Sequence, residues 1–145
     1  MIVLDTTILV YATGDDHPLR SDSLRLLEAI ADGRVEGTTT VEVIQEFVHV
    51  RARRQGRAEA AKAARSFADL LAPLLVSQEA TVEAGLRIFG RSKSLGAFDA
   101  FLAATAIASG ADALVSADRA FSLVTGLAHV VPGTAPFERL LSQLA

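Results

Sequence analysis

The chain contains no cysteine. Disulfides and thiolate metal sites are therefore excluded, and any bound ion must rely on oxygen or nitrogen donors. The absence suits a reducing cytoplasm, which is the expected location. No apolar run approaches the roughly 20 residues that a membrane-spanning helix requires, so no membrane is expected among its partners. The opening MIVLDTTILVYA is apolar, but it carries an acid at position 5 and no basic leader, which makes it a poor secretory signal. Lysine occurs only at Lys62 and Lys93. The three histidines, His17, His49 and His129, fall in a loop, a helix and a strand by pattern and point to no shared site. There is no Gly-rich phosphate loop, no serine nucleophile elbow and no HExxH pair.

What remains is a chain of 145 residues, 50% hydrophobic and 21% charged, which fits one compact domain over residues 1–145. The net charge of −3 hides an uneven distribution. Residues 1–50 hold nine acids and three bases, a net of −6. Residues 51–93 hold nine bases and four acids, a net of +5, and residues 94–145 return to −2. A basic middle lets an acidic protein contact nucleic acid. A solvated helical face is the plainer explanation of the charge alone.

Short apolar runs punctuate the chain. Ile2-Val3-Leu4, Val35 to Thr39, Ala113 to Ser116 and His129 to Val131 read as buried strands, with Leu74-Leu75-Val76 as a possible fifth. Helical patterns lie between them. Thr6 to Ala12 is short. A longer amphipathic stretch carries Leu24, Leu26, Leu27 and Ile30 and stops at Gly33. Thr40 is a plausible N-cap for a helix to Gln55, broken by Gly56. Ala58 to Leu71, a segment from Ser77 or Gln78 to Gly90, and a last helix with Phe137, Leu140, Leu141 and Leu144 complete the set. Strands alternating with helices predict an α/β domain with a mostly parallel sheet. Such sheets bind ligands beyond the carboxyl ends of their strands. Asp5 and Asp118 each follow an apolar strand run and share that edge.

A third acid stands out for its surroundings. From Ser94 to Ala111 the chain reads SLGAFDAFLAATAIASGA, and Asp99 is its sole ionisable side chain. Leu102, Ala103 and Ala106 flank it at helical spacing. A helix apolar on every side is normally buried, and a buried carboxylate needs a partner. Glu46 is the fourth candidate, on the shoulder of an apolar helical face between Val43 and Val50. Asp5 and Asp118 could equally be helix N-caps, and Glu46 a surface residue. Taken together, four carboxylates repel one another unless a cation is shared. An all-oxygen donor set favours Mg²⁺, with Mn²⁺ as a substitute, and such an ion suits phosphodiester chemistry.

These segments resemble the PIN-domain ribonucleases, and in particular the VapC-type toxins of bacterial toxin–antitoxin pairs. MIVLDTTILVYA looks like the family's opening strand, with Asp5 as the first acid and Thr6 as the hydroxyl behind it. TTTVEVIQEFVHV resembles the second motif, in which a hydroxyl residue precedes a glutamate by six positions. That assigns Thr40 and Glu46, with Glu42 as a weaker substitute. LGAFDAFLAATA resembles the third motif and gives Asp99. VSADRAF resembles the fourth and gives Ser116 and Asp118, with Phe121 behind them. Two positions depart from the pattern: Thr7 stands where Asn or Ser is frequent, and Ala120 stands where a further acid is frequent.

The resemblance implies a three-layer α/β/α sandwich and a Mg²⁺-dependent endoribonuclease that is the toxin of a type II toxin–antitoxin system. It also implies a homodimer and a cognate VapB-like antitoxin whose C-terminal segment blocks the acidic pocket. Asp5, Asp99 and Asp118 would then hold the metal, Glu46 would complete the metal cluster and position or deprotonate water, and Thr6 and Ser116 would support them. Arg51, Arg53, Arg54 and Arg57 would contact RNA phosphates or the antitoxin. Two other classes are weighed beside this one. A phosphoacceptor receiver domain would need a lysine after a late strand, and neither lysine occupies such a place. An inactive binding module would not need all four acids.

Overall fold

The computed structural model describes residues 1–142, so Leu144 lies outside the described part of the last helix. Four strands, β1 (Ile2–Leu4), β2 (Gly37–Thr38), β3 (Ala113–Val115) and β4 (His129–Val130), form one sheet in the order β2-β1-β3-β4. Every pairing in it is parallel. The helices α1 (Thr6–Thr13) and α2 (Arg20–Ala31) connect β1 to β2. The helices α3 (Val41–Gln55), α4 (Arg57–Leu70), α5 (Ala80–Arg91) and α6 (Ala97–Ala108) connect β2 to β3, and α7 (Ala135–Ser142) follows β4. The chain moves outward from β1 to β2 and then back past β1 to β3. Right-handed crossovers in opposite directions put the two helical connections on opposite faces, which makes the α/β/α sandwich.

The central strands are buried on both faces, which is why they read as continuous apolar runs without alternation. Phe47 of α3, Phe121 after β3 and Phe137 of α7 fill the core beside them and are fully buried. Two glycines are needed where they stand. Gly56, at φ +85°, turns α3 directly into α4. A Cβ on Gly85 of α5 would stand 2.9 Å from the Phe101 ring of α6, so that helix pair packs closely only because it is absent.

Some boundaries differ from the sequence expectation. The second strand is confined to Gly37–Thr38. Val35 still caps the end of α2, through its N–H to the Ala29 carbonyl, and Thr39 and Thr40 have already turned toward α3. Leu74-Leu75-Val76 is not a strand. Leu75 alone pairs, in a single parallel bridge with Thr40, because it meets the chain only beyond the end of β2. Val76 is exposed. The next helix starts at Ala80 rather than at Ser77 or Gln78. Helix α6 is not enclosed on every side: Ala100, Leu102, Ala103 and Ala106 are buried, whereas Phe98 is 80% exposed.

Candidate active site

The parallel register brings the ends of β1, β2 and β3 to one edge, and the residues just beyond them build the site. Asp5 follows Leu4, and its N–H donates to the Val115 carbonyl at 3.0 Å, which ties the end of β1 to the end of β3. Its carboxylate is buried, at 3% exposure. Oδ2 accepts from the Ser116 hydroxyl at 2.7 Å, the Thr7 hydroxyl at 2.8 Å and the Thr7 N–H at 3.4 Å. Asp5 is therefore the N-cap of α1, as one reading of the sequence had it, and it also faces the site. All three bonds converge on Oδ2, which leaves Oδ1 without a partner among the described residues.

Ser116 joins two acids. Its hydroxyl donates to Asp5 and accepts from the Asp118 N–H at 3.0 Å. Asp118 in turn caps the short 3-10 turn Arg119–Leu123 by accepting from the Ala120 N–H at 2.9 Å. Thr6 holds the other side, where its hydroxyl donates to Glu46 Oε2 at 2.6 Å across 40 residues of sequence. Thr40 caps α3 through the Val43 N–H, which fixes the start of the helix that carries Glu46. The expected supporting roles of Thr6 and Ser116 thus have matching hydrogen bonds.

Thr7 is the residue that the sequence reading undervalued. It counted there only as a departure from a pattern. Its hydroxyl donates to Asp5 and accepts from the Ala117 N–H at 3.1 Å, locking α1 to the segment after β3. The available signal was its place two residues beyond an N-cap acid, at the start of a helix. His129 is structural. Its Nε2–H donates to the Ser116 carbonyl at 3.0 Å, and its Nδ1 meets the Ser122 hydroxyl, so neither ring nitrogen is free for the site.

Asp99 sits in the first turn of α6, half-buried. Burial raises its pKa from 3.8 to about 7, and the charges of Asp5, Glu46 and Asp118 add to the rise. Four acids that are far apart in sequence therefore share one electrostatic field. A cavity of about 310 Å³ opens between α3 and α6, walled by Val43, Glu46, Phe98, Asp99 and Leu102. Glu42 also lines it, but Thr6 holds Glu46, and Glu46 is the one that acts on Asp99. Among the described residues no three acidic or histidine side chains close into a preformed cage around an ion.

The four arginines do not form one patch. Arg51 and Arg54 lie in the groove where α3 meets Val10 and Thr13 of α1, and the Arg51 Nε there is buried without a partner. Arg53 and Arg57 line a different depression, with Gln45 and His49. None of the four forms an ion pair with an acid among the described residues.

Residues 2–127 match the PIN domain. The chain belongs to the PIN-domain family. It is 51% identical over 142 residues to ribonuclease VapC7 of Mycobacterium tuberculosis, a match that covers 97% of this chain and 98% of that protein. It is 29% identical over 127 residues to VapC ribonuclease Mb1869c of Mycobacterium bovis, covering 88% of this chain and 97% of that protein. Two solved structures share the fold. One is VapBC2 from Rickettsia felis bound to a DNA fragment from their promoter, with a TM-score of 0.71 and 21% identity over 91% of this chain and 99% of that one. The other is FitAB bound to an IR36 DNA fragment, with a TM-score of 0.72 and 18% identity over 91% and 95%. The three-layer α/β/α expectation for this PIN domain is borne out. Among its described residues no helix is long and apolar enough to cross a membrane.

Proposed function

We propose that this PIN domain is a Mg²⁺-dependent endoribonuclease and the toxin of a type II toxin–antitoxin pair, with residues 1–145 acting as one unit in the cytoplasm. The observation that carries the reading is the gathering of Asp5, Glu46, Asp99 and Asp118 at one edge, where burial raises the pKa of Asp99 to about 7 and the charges of the other three add to the rise. Like charges gathered at a strand edge are a cost to folding that a divalent cation removes. The donors fit a hard ion, since all are carboxylate oxygens and the nearby His129 is engaged elsewhere. The open arrangement fits Mg²⁺ or Mn²⁺, which bind through a few carboxylates and keep several waters.

In this reading Asp5, Asp99 and Asp118 hold the ion. When bound, the ion lowers the pKa of water and neutralises charge on the phosphodiester. Glu46 orients the attacking water and accepts its proton, and the Thr6 hydroxyl keeps Oε2 aimed for that task. Ser116 and Thr7 hold Asp5 in one rotamer, so that Oδ1 stays presented to the site. The substrate is RNA. The relatives named as ribonucleases and the two antitoxin-type complexes support a cognate VapB-like antitoxin as partner, and the family resemblance implies a homodimer as the working form. The receiver-domain alternative finds no support: Lys62 lies within α4 and Lys93 follows α5. The inactive-module alternative leaves four intact acids and their hydroxyl supports without a purpose.

Purified protein is expected to cleave single-stranded RNA with Mg²⁺ and to stop in EDTA, and cleavage that persists in EDTA overturns the reading. A proton on Asp99 competes with the ion, because its pKa lies at about 7 in the metal-free protein. The Mg²⁺ dissociation constant is therefore expected to rise about tenfold for each pH unit below 7, and to level off above it, when measured by calorimetry. Thr6→Val removes the hydroxyl that orients Glu46 and keeps the branched shape. Cleavage is expected to fall about 10- to 100-fold, with little change in thermal midpoint. Unchanged cleavage would remove Thr6 from the site.

A further inference from the structure

The catalytic scheme leaves one well-built feature unused. The rings of Tyr11 and His17 stack with centroids 3.8 Å apart and planes 5° from parallel. Tyr11 is half-buried and His17 exposed, so Tyr11 is the inner plate and His17 the outer one. The Leu19 N–H donates to His17 Nδ1 at 3.1 Å, which anchors the outer ring.

One spacing and one contact place this stack near the functional edge. Tyr11 follows Thr7 by four residues on α1, so both share a helix face about 6 Å apart. Helical side chains lean toward the helix start, and here that start is where Thr7 holds Asp5 and receives the Ala117 N–H. From the other direction, Leu19 and Asp22 lie against Gly133, just beyond β4 at the same carboxyl edge. The stack therefore lies one turn of α1 beyond Thr7, the residue that holds Asp5, and next to the segment that meets Gly133.

A solvent-facing aromatic plate one helical turn from the residue that holds Asp5 matches how proteins grip single strands, by stacking on the faces of unpaired bases. Asp15 and Asp16, exposed beside His17, repel phosphate and leave the plate to the base. The geometry points to a nucleobase-binding site: we infer that Tyr11 and His17 stack a base of single-stranded RNA adjacent to the scissile phosphate. This rests on the ribonuclease reading above.

The chain has one tyrosine and no tryptophan, so its intrinsic fluorescence reports on Tyr11 alone. An abasic nucleotide is moved through the positions on either side of the bond that the wild-type protein cleaves. One position is expected to lose about tenfold in kcat/KM, and the same substitution is expected to cost the His17→Ala variant nothing further. In the cleavage-blocked Asp99→Asn protein with Mg²⁺, intact RNA is expected to quench Tyr11, and RNA abasic at that position is expected not to. If the wild-type protein cleaves RNA but no abasic position changes its rate, the plate is disproved while the nuclease reading stands. The same holds if His17→Ala slows intact and abasic strands alike. If the wild-type protein cleaves no RNA, the nuclease reading fails and the plate fails with it.

Discussion

Asp99→Asn is expected to abolish RNA cleavage, by at least about 10²- to 10³-fold, and at the same time to raise the melting temperature of the metal-free protein. The two effects share one cause. Asp99 is half-buried among three other acids, and its pKa stands at about 7 against a starting value of 3.8. Folding therefore disfavours its ionised form. That penalty is absent below about pH 4, where folded and unfolded chains both hold the proton. It grows between about pH 4 and 7 and is constant above 7. Asparagine is neutral throughout and removes it. After discounting for solvent screening at a half-exposed site, the gain is on the order of 1 kcal/mol, or roughly 3 °C for a chain of this size. Thermal melts in EDTA from pH 4 to 8 check the sign. A variant that melts lower than wild type at pH 8 would make Asp99 a structural residue and overturn this account of α6.

Asp5→Ala is expected to abolish cleavage as well, with the opposite effect on stability. Asp5 carries the same charge in the same cluster, but its surroundings differ. Its Oδ2 receives two hydroxyls and one N–H, and it caps α1. Alanine removes the cap and leaves the Ser116 and Thr7 hydroxyls without their acceptor at a buried edge. The expected loss is about 2–4 kcal/mol, or about 10 °C in melting temperature. That exceeds the relief from losing one repelling charge. Asp5→Asn keeps an acceptor oxygen for both hydroxyls and is expected to recover most of the stability but none of the cleavage. Equal melting temperatures for Asp5→Ala and wild type would show that the cap and the two hydroxyl bonds contribute little.

The contrast between these two acids defines how the site works. Asp5, Ser116, Thr7 and Asp118 form a hydrogen-bonded frame that stays ordered without a ligand. Asp99 has no such support, and its burial beside the other acids disfavours its charged form. The reverse division, a rigid Asp99 and a loose Asp5, would leave α1 uncapped at the point where the sheet edge must be firm.

Much of this was legible from residue order. Ile2-Val3-Leu4 and Ala113-Leu114-Val115 are apolar because both faces of a parallel strand are covered, and that alone places Asp5 and Asp118 at one edge. The cap residue Thr40 and the break at Gly56 marked both ends of α3. Asp99 was conspicuous because nothing else in its helix could ionise. Local pattern failed where the answer depended on a distant partner. Leu74-Leu75-Val76 has the composition of a strand, but it pairs only once, with Thr40 just past the end of β2. The charge run from Arg51 to Arg57 reads as a single patch, yet helical rotation and the turn at Gly56 send its members into two grooves.

The sequence by itself determined the alternation of strands and helices and the shared edge, and singled out four candidate acids, because each follows from residue type and short-range spacing. Only the tertiary structure decided which oxygen of Asp5 is tied and which is presented, that Thr7 belongs to the frame, that Thr6 reaches Glu46, and that Tyr11 meets His17 face to face. Those facts depend on hydrogen bonds and contacts set by how α1 docks against α3, β3 and the turn into α2. Docking angles come from packing the whole core, and no window of sequence contains them.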